Sequence, residues 1–291
     1  MGSKQSKQVT TLPDFEKPWR NMKWNEKKSL EDELTNIHLR HPELTQLRIL
    51  LHGPVGAGKS CFINSVRSIF SGEIKRNIPE QSNAKKSCTK TYKSYSITNK
   101  RSETLPFIFN DVMGLENIED DGIHPNDIVN ALLGHIKEGY KFNPVSPLSN
   151  KDVDFIHEPT LKDKVHCLVS VVPANSISRM DNGVIDKMEV VRKRAVGLEI
   201  PHLVIMTKVD ANVCPLVNED LSQIYRSRKI KEKMGNCSDR LGPTMKCIFP
   251  VSNYHEENET NDTKDVLILT ALLAIVKSAN EYVEESLTSH E

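Results

Sequence analysis

LRILLHGPVGAGKSCFINSVRSIF, residues 47–70, decides how the rest of the chain is read. Residues 47–51 are apolar but for Arg48, as suits a short buried strand, and the stretch ending near Phe70 repeats apolar residues at helical spacing. Between them the spacing G-x-x-x-x-G-K-S, from Gly53 to Ser60, is the P-loop pattern in its required context of strand before and helix after. Gly53, Gly56 and Gly58, with the small Ala57, let a loop wrap so closely that successive backbone N–H groups and the helix N-terminus face phosphate oxygens. Val55 and Cys61 complete that backbone cradle. Lys59 is placed to reach the outer phosphates, and the Ser60 hydroxyl is an oxygen donor suited to Mg²⁺.

Downstream, strands are expected at 91–97 and 105–110, joined as a hairpin across a charged turn, then at 165–172, 202–206 and 247–251. Helices are expected at 125–138, 184–196, 220–233 and 263–284. Such alternation implies a mostly parallel sheet with helices on both faces. Two further motifs fall at strand ends, where open parallel sheets bind ligands. Asp111-Val-Met-Gly114 puts a carboxylate after the strand 105–110, where Asp111 can hold Mg²⁺ and Gly114 can offer its N–H to a γ-phosphate. Thr207-Lys208-Val209-Asp210 follows 202–206. A carboxylate at Asp210 can accept guanine N1–H and N2–H together, a donor pair adenine lacks, while Lys208 lays its stem along the base. Thr207 stands where Asn is usual, which should loosen the loop behind the base. After the last strand, Ser252 and Asn253 lie where a loop backbone would meet the guanine O6.

Composition narrows the classes of function. Thirty-nine basic residues balance 39 acidic ones with pI near 7.1, so no global field favours nucleic acid. VLILTALLAIV, residues 266–276, is eleven residues long against the roughly twenty a bilayer needs, and reads as a buried helix. No secretory signal pattern is present, six scattered cysteines suggest reduced thiols, and a cytoplasmic location is expected. Residues 1–18 read as a mobile arm, 19–46 as a helical extension packed through Trp19 and Trp24, 47–285 as the main domain and 286–291 as a tail. MGSKQSK at the start fits the myristoylation pattern at Gly2, which by itself supports only weak, reversible membrane contact.

Together these features describe a three-layer P-loop G domain with an N-terminal helical extension, binding GTP or GDP with Mg²⁺. The ordered set HGPVGAGKS, FIFNDVMGLE, TKVD and VSNY resembles the GTPase-type domain of the interferon-induced protein 44 family, over about residues 17–285. That resemblance implies an interferon-responsive protein of antiviral or immune defence, with protein partners in immune signalling. Hydrolysis is expected to be slow. Leu115 follows D-x-x-G where many small GTPases carry a water-orienting Gln, and the bulk of Val55 obstructs an arginine finger. Glu116 and His124 are the substitutes to consider, and Thr89 or Thr91 is the candidate for a mobile metal-binding threonine. A non-enzymatic scaffold stabilised by nucleotide is the alternative.

Overall fold

The computed structural model describes residues 14–78, 89–117 and 121–288. Gly2, most of the expected arm and the last three residues of the expected tail lie outside these. Six strands form one sheet: β1 (Leu47–His52), β2 (Lys93–Thr98), β3 (Thr104–Asp111), β4 (Cys167–Pro173), β5 (His202–Thr207) and β6 (Ile248–Pro250). Their order is β2-β3-β1-β4-β5-β6; only the β2–β3 hairpin is antiparallel. The expected turn closes that hairpin, with Asn99 N–H donating to the Glu103 carbonyl at 3.0 Å. The chain is therefore an α/β protein with a mostly parallel sheet.

Strand periodicity sorts the core into two layers. Leu50, Leu168, Val172, Val204 and Met206 face α3 (Pro125–Leu133), α4 (Asn182–Gly197) and α6 (Arg228–Leu241). Leu47, Ile49, Leu51, Val169, Val171 and Ile205 face α1 (Lys27–Thr35), α2 (Lys59–Ser71) and α7 (Asp262–Thr288). The apolar run 266–276 lies inside α7. That helix is long and apolar enough to cross a membrane by length and composition, yet 67% of its apolar window is buried among these side chains. The five described cysteines are all free thiols.

Three expectations are corrected by local chemistry. α3 ends at Leu133 rather than 138, because Gly134 turns left-handed and its N–H caps Ala131 and Asn130. The helix expected at 220–233 is instead a short α5 (Pro215–Glu219), a 3₁₀ turn at Leu221–Gln223 capped by Asp220, and α6. Ser227 starts α6 by accepting from the Ile230 N–H at 3.2 Å. Residues 14–18, expected in the mobile arm, are tied down. Phe15 N–H donates to the Arg226 carbonyl at 2.9 Å, Asp14 accepts from Arg228 N–H at 2.9 Å, and the Arg228 guanidinium lies 4.1 Å from the Phe15 ring centre. Trp19 packs edge-on against Tyr225, and Arg20 donates to the carbonyls of Met245 and Ile248. Trp24 packs against both core layers. α1 docks on α7, where Lys27 meets Asp265 at 2.7 Å.

Candidate functional site

β1 lies between β3 and β4, so the loop that leaves it opens at the switch point of the sheet. Gly53 has φ +147, and a Cβ there would sit 2.1 Å from the Val171 carbonyl oxygen, so β1 can end against β4 only with glycine. α2 then starts at Lys59, whose side chain turns back and donates to the carbonyls of Gly53 and Pro54, both at 3.2 Å. The ammonium is buried, and burial lowers its pKa against the opposing field of Asp111.

Asp111, fully buried at the end of β3, gathers the oxygen donors. Ser60 Oγ donates to its Oδ2 at 2.8 Å and Thr89 Oγ1 to the same oxygen at 3.2 Å. Among the described residues its Oδ1 has no hydrogen-bond partner, and burial raises the carboxyl pKa despite Lys59, Ser60 and Thr89. Thr91 is instead paired with Lys141, so of the two threonines it is Thr89 that stands at Asp111. Hydroxyl and carboxylate oxygens are hard donors that suit Mg²⁺, and an unpaired buried carboxylate oxygen is what such a cation would satisfy. Among the described residues no cluster of three or more His, Cys, Asp or Glu could hold a metal alone, so a cation here would need further oxygen ligands beside these.

The segment after β3 zips onto the glycine loop. Leu115 N–H donates to the Gly53 carbonyl at 3.0 Å, and Val55 N–H donates to the Leu115 carbonyl at 3.1 Å. The Val55 amide, expected in the cradle, is thus used within the protein. Gly114 lies so close that a Cβ would stand 2.7 Å from Val55 Cα. His124 Nδ1 caps α3 by accepting the Asn126 N–H at 3.1 Å, and the Glu116 carbonyl accepts from Lys187 at 2.7 Å.

The other end of the site is built from the ends of β5 and β6. Thr207, fully buried, donates from Oγ1 to the Ala57 carbonyl at 2.5 Å. This corrects the expectation of a loosened loop: a hydroxyl tie joins the two loops directly. Lys208 is left-handed, with φ +56. Asp210 Oδ2 accepts from Ser252 Oγ and from Lys264 Nζ at 3.5 Å. Asn253 donates from Nδ2 to the Gly58 carbonyl at 3.1 Å, and its buried Oδ1 has no partner among the described residues. Beside these groups lies a cleft of about 430 Å³, lined by Gly56, Gly58 and Cys61 from the glycine loop and by Lys208, Asp210 and Lys264. Its size and mixed lining suit a small-molecule ligand.

Sequence reading missed Lys264 and Glu257. Lys264 bonds Glu257 and donates to the Asn253 carbonyl at 3.4 Å. Burial pushes Glu257 up, but the His255 N–H and Lys264 together hold it down at about 2. A signal was present: Lys264 is the third residue of α7, a cation where a helix dipole favours anions.

No family model matches the chain. Relatives do. Interferon-induced protein 44 of Mus musculus is 36% identical over 241 residues, 82% of this chain and 56% of the relative. The Homo sapiens protein of that name is 35% identical over 260 residues, 89% of this chain and 58% of the relative. Interferon-induced protein 44-like of Homo sapiens is 34% identical over 243 residues, covering 83% and 53%.

The chain belongs to the interferon-induced protein 44 family. It spans just over half the length of these relatives. In this member of the family, the glycine loop, Asp111 and the Thr207–Asp210 segment all meet at the carboxyl ends of the central strands.

Proposed function

We propose that this chain is a P-loop G domain that binds GTP and GDP with Mg²⁺, and that it serves an interferon-induced immune response inside the cell through protein partners. The observation that carries the reading is one cleft lined both by the glycine loop and by a carboxylate, Asp210. Backbone amides of the loop around Gly56–Ser60 would hold the phosphates, and Lys59 would exchange its two loop carbonyls for phosphate oxygens. Ser60, Asp111 and Thr89 are the residues that would hold Mg²⁺, whose charge would offset that of the β- and γ-phosphates. Asp210 would accept from guanine, and the relation of Ser252 and Asn253 to Asp210 and Gly58 would keep the base end rigid.

A second reading, a nucleotide-stabilised scaffold with little or no turnover, is favoured by a specific observation. Leu115 is 1% exposed and bonded through its backbone to the loop, so no polar side chain stands at that position to orient water. The geometry therefore supports binding with slow hydrolysis at most.

Titration calorimetry with GTP, GDP and ATP, each with and without Mg²⁺, tests the reading, with Lys59→Ala as the control. Guanine nucleotides should bind, ATP should bind far more weakly, and Lys59→Ala should abolish the heat. Absence of heat with both guanine nucleotides would overturn the proposal. Single-turnover phosphate release then separates slow GTPase from scaffold.

A further inference from the structure

We propose that Lys264, at the start of α7, reads the O6 edge of the purine while Asp210 reads its N1–H and N2–H edge, so that specificity comes from a side-chain pair. This rests on the guanine-nucleotide reading above and adds a residue to it. Three observations carry it.

Lys264 lines the cleft beside Asp210, with its ammonium 3.5 Å from the carboxylate Oδ2. A donor and an acceptor side by side at that spacing match the guanine edge, where the O6 acceptor adjoins the N1–H donor. Adenine would turn its N6 amino donor toward the cation, leaving both groups unsatisfied.

The ammonium is held but not saturated. Its close partner is Glu257, while its contacts to Asp210 and to the Asn253 carbonyl, at 3.5 and 3.4 Å, exceed the ordinary N–H···O range of about 2.7–3.2 Å. Two of its donors therefore have room to shift to a ligand oxygen. Two carboxylates, Asp210 and Glu257, also share this one cation.

The position is fixed from behind. Tyr254 donates to Asp265 at 2.6 Å, and Lys27 of α1 reaches the same carboxylate, locking the first turn of α7 on which Lys264 stands. The Lys264 side chain is only 15% exposed, so its loss of freedom is largely complete before a base arrives.

The test uses the full chain with Mg²⁺ and two ligands, GTP and 6-thio-GTP, which keeps N1–H and N2–H but replaces O6 with a weak acceptor. Wild type should prefer GTP by about tenfold. Lys264→Met should weaken GTP about 10- to 100-fold and bring the two ligands within about twofold of each other. Lys264→Arg should restore part of the preference, and unchanged melting temperatures would show that the variants fold. Equal losses for both ligands, with the wild-type preference retained, would mean that Lys264 only positions Asp210 and would overturn the proposal. So would a Lys264→Met variant with unaltered GTP affinity. If wild type binds neither ligand, the guanine reading itself has failed, a result distinct from either.

Discussion

Lys27→Met is the sharpest probe of how the N-terminal extension supports the site. Lys27 Nζ lies 2.7 Å from Asp265 Oδ2 and 2.9 Å from Asp262 Oδ1. Asp265 is fully buried, whereas the Asp262 side chain is 76% exposed, so Asp265 dominates the energetics. Removing one partner of a buried ion pair costs about 3–5 kcal/mol, because a charge is left without compensation. The Lys27 side chain is 27% exposed and Tyr254 still donates to Asp265, which brings the expected loss down to roughly 2–3 kcal/mol. Methionine keeps the stem, so packing of α1 on α7 is little changed.

The pH dependence of that loss follows from Asp265. Burial raises its pKa, and the bonds from Lys27 and Tyr254 only partly oppose this. The folded state thus holds the Asp265 proton more tightly than the unfolded state, and ionising the group costs stability as pH rises above the ordinary carboxylate range. Without Lys27 the pKa moves higher still. Urea unfolding should show the full deficit at pH 7 and a smaller one at pH 5, and Asp265→Asn should recover most of it in the Lys27→Met background. A deficit below about 0.5 kcal/mol, one that is the same at both pH values, or additive behaviour of the two substitutions would refute the reasoning.

Gly53→Ala should fail to give a stable fold, since its Cβ would meet the Val171 backbone oxygen at 2.1 Å where neither strand can yield; soluble protein of wild-type melting temperature would contradict this. Thr207→Val, which keeps shape and removes the bond to Ala57, should cost about 1–3 kcal/mol in urea unfolding and weaken GTP several-fold; equal stability would show that the tie contributes nothing. Burial lowers the pKa of both His166 and His202 to about 4. Depressed basic groups leave the unfolded state binding more protons below its own pKa, so stability is present above about 6.5 and is lost as pH falls toward 4, by about 3 kcal/mol for each residue. Urea midpoints at pH 7 and 4.5 check this, and replacing His166 with Gln should flatten the curve.

What could be read from the sequence is what local backbone chemistry dictates. Gly53 is legible through the P-loop spacing it opens, and five of the six strands because short apolar runs stop at polar turns. Asp111 and Asp210 could be singled out because each follows such a run. The helix expected from 220 starts only at Arg228, because Asp220 caps a separate 3₁₀ turn and Ser227 caps α6, and apolar spacing alone does not mark a break between two such caps. The site was least legible where distant segments meet. Thr207 looked like a weakened Asn until its hydroxyl was seen bonded to Ala57, 150 residues away. Lys264 carried only the sign of a misplaced helix-terminal charge, and its nearness to Asp210 exists only because α7 returns across the sheet. Lys27 and Asp265 are further apart still in sequence, yet their ion pair secures the first turn of α7 behind Lys264 and Asp210. The extension and the cleft are therefore one mechanical unit: loosening α1 should be felt first at Tyr254 and Lys264, before it reaches the glycine loop.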